Sequence, residues 1–409
     1  MRQLLVLFAL LTCQACTDES SVAIQELPVP AASGSAEPNL AAGLDGTVLL
    51  SWLEPAGDEH ALRFAALADS GWSEPLTVAQ SDNWFINWAD FPSVVPLANG
   101  RWAAHWLQKT PGSVYSYDVR VAFSRDRGLS WSESRTPHTD GTHTEHGFAS
   151  LFPVADGLGA VWLDGRKTAG ADHSDPAAHD TGSPDSGMTL RSAVMSGDLQ
   201  LLADQEIDPL VCDCCQTDVA LSSTGPLLVY RDRSPDEIRD IYISRHVDGT
   251  WQEGEPVAVD GWKIGGCPVN GPAIAARGEL VVVAWFTAAN GTSRVKVAFS
   301  TNAGESFSEP VLVDSSKVLG RVGVSLLPDG DAAISWLKNI SNGRAEIRLQ
   351  RIKPDGTSGT MTVVAETAAA RISGFPQLLA TEGALLLAWT DITESEKSVR
   401  SARIAFDAL

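Results

Sequence analysis

Long apolar stretches are missing from this 409-residue sequence. Apart from Leu4 to Leu11, which is too short to cross a bilayer, no run comes near the ~20 apolar residues that a membrane-spanning helix needs. Positive charge is scarce as well. Thirty Lys and Arg face 51 Asp and Glu, and the net charge of −21 excludes nucleic acid or an anionic membrane surface as the main partner, leaving room only for a local basic pocket. Charged residues make up 20% of the chain against 44% hydrophobic, so it is not disordered as a whole. Tyrosine is restricted to Tyr115, Tyr117, Tyr230 and Tyr242, which limits the phenols available for chemistry. What is plentiful is glycine, with 35 residues, proline, with 22, and tryptophan, with 13. That combination points to many short strands joined by tight turns.

Arg2, the apolar run and the cysteines that follow read as an export signal. Its end, Leu11-Thr12-Cys13-Gln14-Ala15-Cys16, resembles a bacterial lipoprotein signal, in which a cysteine behind small residues is acylated. Cys16, behind Ala15, is the better lipid anchor; Cys13 is the alternative, and an ordinary cleaved signal is the plainer reading. The expectation is a signal over 1–15 and one domain over 16–409, exported to the cell envelope and held on the outer membrane only through that anchor.

A short apolar run ending in an aromatic recurs at Trp52, Trp106, Trp162, Tyr230, Trp285, Trp336 and Trp389, at intervals of 51 to 56 residues with one of 68. Turn signals such as Asp45-Gly46, Asn99-Gly100, Asp156-Gly157 and Asp329-Gly330 precede the runs, and alternating strands such as Val119 to Phe123 and Val295 to Phe299 follow. Four strands per period describe one propeller blade. The fold class is therefore all-β, a propeller of seven four-stranded blades, with six as the alternative. The last unit runs out of chain after its third strand, and Val22 to Leu27 can supply the fourth, closing the ring and removing an exposed edge.

The loops entering the innermost strands and those leaving the second strands share one face around the channel, where a ligand site is expected. The residue two past each aromatic opens such a loop: Glu54, Gln108, Asp164, Asp232, Thr287, Lys338 and Asp391. All are polar, a candidate rim for a hydroxyl-rich ligand, although loop starts are generally polar. The same face should receive Trp84 to Asp90, with Trp88 to stack on a sugar, and also Glu145 and His146, Arg231 and Asp232, and Arg321.

The segment Ser124-Arg125-Asp126-Arg127-Gly128-Leu129-Ser130-Trp131 reads S-x-D-x-G-x-x-W; Ser300 to Phe307 repeats it with Asn302 and Phe307, and Asp248-Gly249-Thr250-Trp251 is a worn third copy. These resemble the Asp-box, or BNR, repeats of the sialidase superfamily. The resemblance implies boxes on the face opposite the active site, a Tyr–Glu nucleophile pair, an Asp acid/base and three arginines on a substrate carboxylate, which a guanidinium fork grips bidentately. Glu145, Asp232 and Asp90 are the candidate catalytic carboxyls, and Arg231, Arg321, Trp88, His146, Asp164 and Asp391 the candidate substrate contacts. Two departures stand out. The Arg-Ile-Pro opening is replaced by Asp90-Phe91-Pro92, and neither Tyr115 nor Tyr117 has a Glu partner evident in the sequence.

Four cysteines remain outside the signal: Cys212, Cys214, Cys215 and Cys267. Cys214 and Cys267 occupy the same place in adjacent repeats, and an exported protein meets an oxidising compartment, so a bridge from Cys267 to one of the other three is expected. A Cys214–Cys215 bridge, or a thiolate metal site with His143 or His146, is the alternative. Asp164 to Gly187 accounts for the long interval and reads as a surface loop over the channel mouth; its Asp and His residues meet no calcium-loop spacing. Two readings stand, a sialidase-like monomer that binds and hydrolyses glycans without a cofactor, and a non-catalytic envelope propeller for recognition.

Overall fold

The runs that end in the repeating aromatic are apolar at successive residues, so they need cover on both faces. A computed structural model, which describes residues 24–155, 157–169, 187–393 and 396–409, provides that cover by setting seven antiparallel sheets side by side around one channel. Leu49, Leu50, Trp52 and Leu53, within the strand Val48–Ala56, are all buried by the sheets on either side. Cys16, expected from the sequence as a lipid anchor, and the bulk of the 164–187 insertion lie outside the described residues.

Blade 1 runs outward through Ala36–Ala42, Val48–Ala56, Glu59–Ala68 and Leu76–Ser81. The innermost strands of blades 2 to 6 begin at Ser93, His146, Asp218, Ala273 and Val318. Blade 7 consists of Gln377–Ala380, Ala384–Ile392 and Lys397–Ala405, with Ile24–Leu27 as its outer strand. That strand pairs Ile24 with Ile404 and Leu27 with Ser401, so the two ends of the chain share one sheet. Blade 2 has three strands, and an isolated Val121–Arg135 bridge stands where the fourth would pair. Among the described residues helical structure is confined to short 3₁₀ turns.

Turn chemistry follows the sequence. In Asn99-Gly100 both residues take positive φ, 60° and 70°, and Gly46 and Gly330 do so at 81° and 95°. The two S-x-[DN]-x-G turns share one hydrogen-bond layout. Gly128 N donates to Ser124 Oγ at 2.7 Å and Ser130 N to Asp126 Oδ1 at 2.9 Å; Gly304 N donates to Ser300 Oγ at 3.0 Å and Ser306 N to Asn302 Oδ1 at 3.1 Å. The worn copy is different, a tight turn with positive φ at Asp248 and Gly249.

A buried indole N–H or phenol still requires an acceptor, and carboxylates supply it. Trp52 donates to Glu54 at 2.8 Å, Trp162 to Asp164 at 2.8 Å, Trp285 to Asp260 at 2.8 Å, Trp336 to Asp314 at 2.9 Å and Tyr230 to Asp208 at 2.7 Å. Acidic residues therefore recur beside the repeating aromatics for a packing reason.

Candidate functional site

At one mouth of the channel the loops entering the innermost strands, at Asn87 to Ala89, Glu145, Asp213, Gly265 to Cys267 and Arg371, meet Tyr115 and Arg239 from loops leaving second strands. They enclose a pocket of about 460 Å³. Glu145 is half-buried in its wall. Behind it lies Tyr117, only 1% exposed, whose Oη donates its hydrogen between Glu145 Oε1 at 2.8 Å and Asp90 Oδ2 at 3.0 Å. Asp90 is also held by the Phe148 N–H at 2.8 Å.

Local structure dictates this meeting. Tyr117 opens the third strand of blade 2, and its N–H donates to Thr144 O at 3.1 Å, drawing the segment before blade 3 alongside. Gly147 then leaves the space: a Cβ there would stand 2.1 Å from Asp90 Oδ2 and 2.8 Å from Tyr117 Oη. Phe85 stacks on the phenol at 4.1 Å. Burial pushes Asp90 up to about 7, Glu145 to about 8, with the Asp90 charge adding to the latter, and Tyr117 well above its ordinary value.

Arg321, on the innermost strand of blade 6, lies over the Trp88 ring at 4.9 Å, and its Nη1 donates to Ser373 Oγ and the carbonyls of Ala370 and Gly374. Burial and the neighbouring Arg371 lower it to about 10. Among the described residues neither arginine has a carboxylate partner. Arg371 thus lines the mouth, while Arg321, only 6% exposed, packs against the Trp88 ring.

The structure brings together four of the residues singled out in the sequence, Glu145, Asp90, Trp88 and Arg321, and separates the rest. Arg231 is 2% exposed and gives its guanidinium to the carbonyls of Arg239, Asn270 and Phe286, with Trp262 beneath it at 4.9 Å. Asp232, raised to about 7 by burial and the nearby Asp208, sits with the Tyr230 acceptor between blades. Asp164 is buried, bonded to Trp162 and bidentate to Arg166. Asp391 lies 3.9 Å from Arg400, and His146 stacks on His138 among aspartates.

Asp213 and Arg371 are pocket residues that the sequence did not single out, nor did it show the pairing of Tyr117 with Glu145. Tracing the loop before every innermost strand would have found Asp213 and Arg371. Tyr117 carried no such signal, because its partner belongs to the next blade.

Cys214 and Cys267 form a disulfide across blades 4 and 5, with Cα atoms 6.0 Å apart, and line the same pocket. Cys212 and Cys215 are buried free thiols 3.5 Å apart. Burial opposes ionisation of Cys215, yet hydrogen bonding from Cys212 and the Arg231 charge draw its thiol below the ordinary range. His146 joins a different cluster from these cysteines.

No family model matches the sequence, and no curated protein matches it. Solved structures do. A protein of unknown function from Dyadobacter fermentans is 12% identical, with a TM-score of 0.50 over 94% of this chain and 99% of the other. The phage phi92 endosialidase is 9% identical, with a TM-score of 0.50 over 94% of this chain and 69% of its own. A Trypanosoma rangeli sialidase in complex with the inhibitor DANA is 13% identical, with a TM-score of 0.47 over 82% of this chain and 56% of the other. At such identities the likeness is one of fold.

Proposed function

We propose that the channel mouth binds the acidic end of a glycan and hydrolyses its glycosidic bond. The observation that carries this reading is the half-buried Glu145 carboxyl, backed by the Tyr117 phenol at 2.8 Å, in one mouth with Arg371, which has no carboxylate partner among the described residues, and with Trp88, against which Arg321 packs. Arg371 offers charge-assisted hydrogen bonds to an anionic sugar, and Trp88 and Tyr115 offer ring faces to it. Glu145 gives a proton to the departing oxygen as the C–O bond breaks; water adds to the anomeric carbon and loses its proton to a second carboxylate, for which Asp213 in the same wall is the candidate. Tyr117 lies beneath Glu145 and holds it in position. The sialidase resemblance favours the same class, with the turns at Asp126 and Asn302 as its Asp boxes, and the same reading takes the protein as exported and anchored through Cys16.

A panel of fluorogenic glycosides, with sialosides and uronides included, tests it. Glu145→Gln should lower kcat by about 10² or more, and Arg371→Ala should raise KM about tenfold at unchanged melting temperature. If no substrate turns over but acidic glycans bind on an array and Arg371→Ala releases them, the site is one of recognition. If nothing acidic binds, both readings fall.

A further inference from the structure

Beside the pocket, on the side of the chain away from it, five titratable residues and one arginine form a buried cluster between blades 2 and 3. Asp118 is the second residue of the strand Tyr117–Ser124, His146 the first of His146–Val154, and Asp164 the last of Gly157–Asp164, directly opposite His146 in register. His138 and Asp140 come from the segment between the blades. His146 is wholly buried and His138 is 5% exposed, yet Asp118 Oδ1, His138 Nε2 and both ring nitrogens of His146 have no hydrogen-bond partner. A buried polar atom without a partner carries a desolvation cost, and here four such atoms lie together.

We infer that Asp118, His138 and His146 bind a divalent metal ion of the zinc type. Asp118 Oδ1 stands 3.6 Å from His138 Nε2 and 3.5 Å from His146 Nδ1. Those separations exceed a hydrogen bond, but they match the ~3.4 Å edge of a tetrahedron with metal–ligand bonds of ~2.0–2.1 Å. The surrounding bonds leave the same atoms free. The Asp140 carboxylate accepts from His138 Nδ1 at 2.8 Å, which fixes the tautomer and points a bare Nε2 at Asp118. His146 Nε2 faces Asp140 at 3.4 Å and Asp164 at 3.8 Å, leaving Nδ1 on the Asp118 side. His138, held on Nδ1 by a carboxylate with its Nε2 left bare, has the supporting hydrogen bond that metal-bound imidazoles carry.

Charge points the same way. Three carboxylates face the cluster, and Arg166 is the one cation ion-paired to it among the described residues, at 2.7 Å from Asp164 and 3.6 Å from Asp140. With both imidazoles neutral, as ligands must be, a divalent ion supplies the two missing positive charges, and a nitrogen–oxygen donor set suits zinc. The imidazole planes are stacked parallel within 5° at 3.9 Å, so their in-plane lone pairs do not converge, and metal binding requires the rings to tilt towards a common point. The ion would tie blade 2 to blade 3 independently of what the pocket does.

Elemental analysis of the full chain, purified without chelator, incubated with excess zinc and desalted, tests the site. The expected result is one zinc per chain, a rise in melting temperature over the chelator-treated protein, and a cobalt form whose visible absorption lacks a thiolate charge-transfer band. His138→Gln should lose the metal, and Asp118→Asn, whose side chain is 20% exposed, serves where the histidine variant does not fold. A Cys212→Ser, Cys215→Ser double variant should keep it. Less than about a tenth of an equivalent bound, metal retained by a folded His138 or Asp118 variant, or metal lost only with the cysteines would overturn the inference.

Discussion

Glu37 is 6% exposed on the innermost strand of blade 1, and burial pushes its carboxyl up to about 7, with Lys397 pulling the other way. The folded state therefore keeps a proton that the unfolded chain gives up near 4.5. Stability from this group is complete below that unfolded value and is lost as pH rises through about 7. Glu37→Gln cannot lose the proton, so urea unfolding at pH 5, 7 and 9 should show the variant gaining about 1–3 kcal/mol on the parent across the range. Parallel pH profiles would clear Glu37 of any part in alkaline instability. Residue types and register were readable for Arg231 and Arg321 alike, each polar in an apolar setting. What decides each is where buried acceptors happen to point: the carbonyls of Arg239, Asn270 and Phe286 surround Arg231 and turn it inward, while Ser373 Oγ and the carbonyls of Ala370 and Gly374 hold Arg321 against Trp88. Tyr117 illustrates the same limit, because Glu145 reaches it from another blade and no local pattern ties the two together.

At the scale of the element, the turn from Ser124 to Trp131 was legible because its repeat at Ser300 to Phe307 fixed its place in the blade. The physical reason is visible at Gly128. It sits at φ +83°, and a Cβ there would lie 2.3 Å from Phe64 Cζ and 2.9 Å from the Trp102 ring. The turn tip is thus wedged between the aromatic residues of blades 1 and 2, while Asp126 caps its amides. Gly128→Ala should cost about 2–4 kcal/mol through positive φ and overpacking together. Asp126→Ala, at an exposed cap, should shift the melting temperature far less. Thermal melts of both, with ligand titrations at the channel mouth, check this, and a Gly128 variant as stable as the parent would mean that the tip is loosely packed. The fourth strand of blade 2 was not legible. Its place is taken by a single bridge between Val121 and Arg135, after which the chain runs on to His138 and Asp140 of the buried cluster.

Across the whole molecule, every blade covers its neighbours, so the ring is only as secure as the join between its ends. Besides face packing of blade 1 on blade 7, the join rests on one four-residue strand. Ile24–Leu27 supplies the outer edge of blade 7, Leu27 O accepts the Ser401 hydroxyl at 2.7 Å, and Ser401 Oγ in turn accepts the Trp72 indole of blade 1 at 2.8 Å. Leu27 also packs with Val48 of blade 1 and Leu386 of blade 7 in one buried cluster. Glu26 and Arg400 add an ion pair at 2.8 Å, exposed and worth little. Removing the chain up to residue 30 therefore leaves the Ser401 to Ile404 edge unpaired, uncovers apolar surface between the first and last blades and frees the Trp72 N–H partner. With a fully buried leucine worth about 2 kcal/mol and four residues of sheet pairing lost, the melting temperature should fall by at least about 5 °C, and the exposed edge should favour self-association. Calorimetry and size-exclusion chromatography of the shortened and full chains decide it. A shortened chain that melts at the parent's midpoint and remains monodisperse would show that blades 1 and 7 hold together by their faces alone.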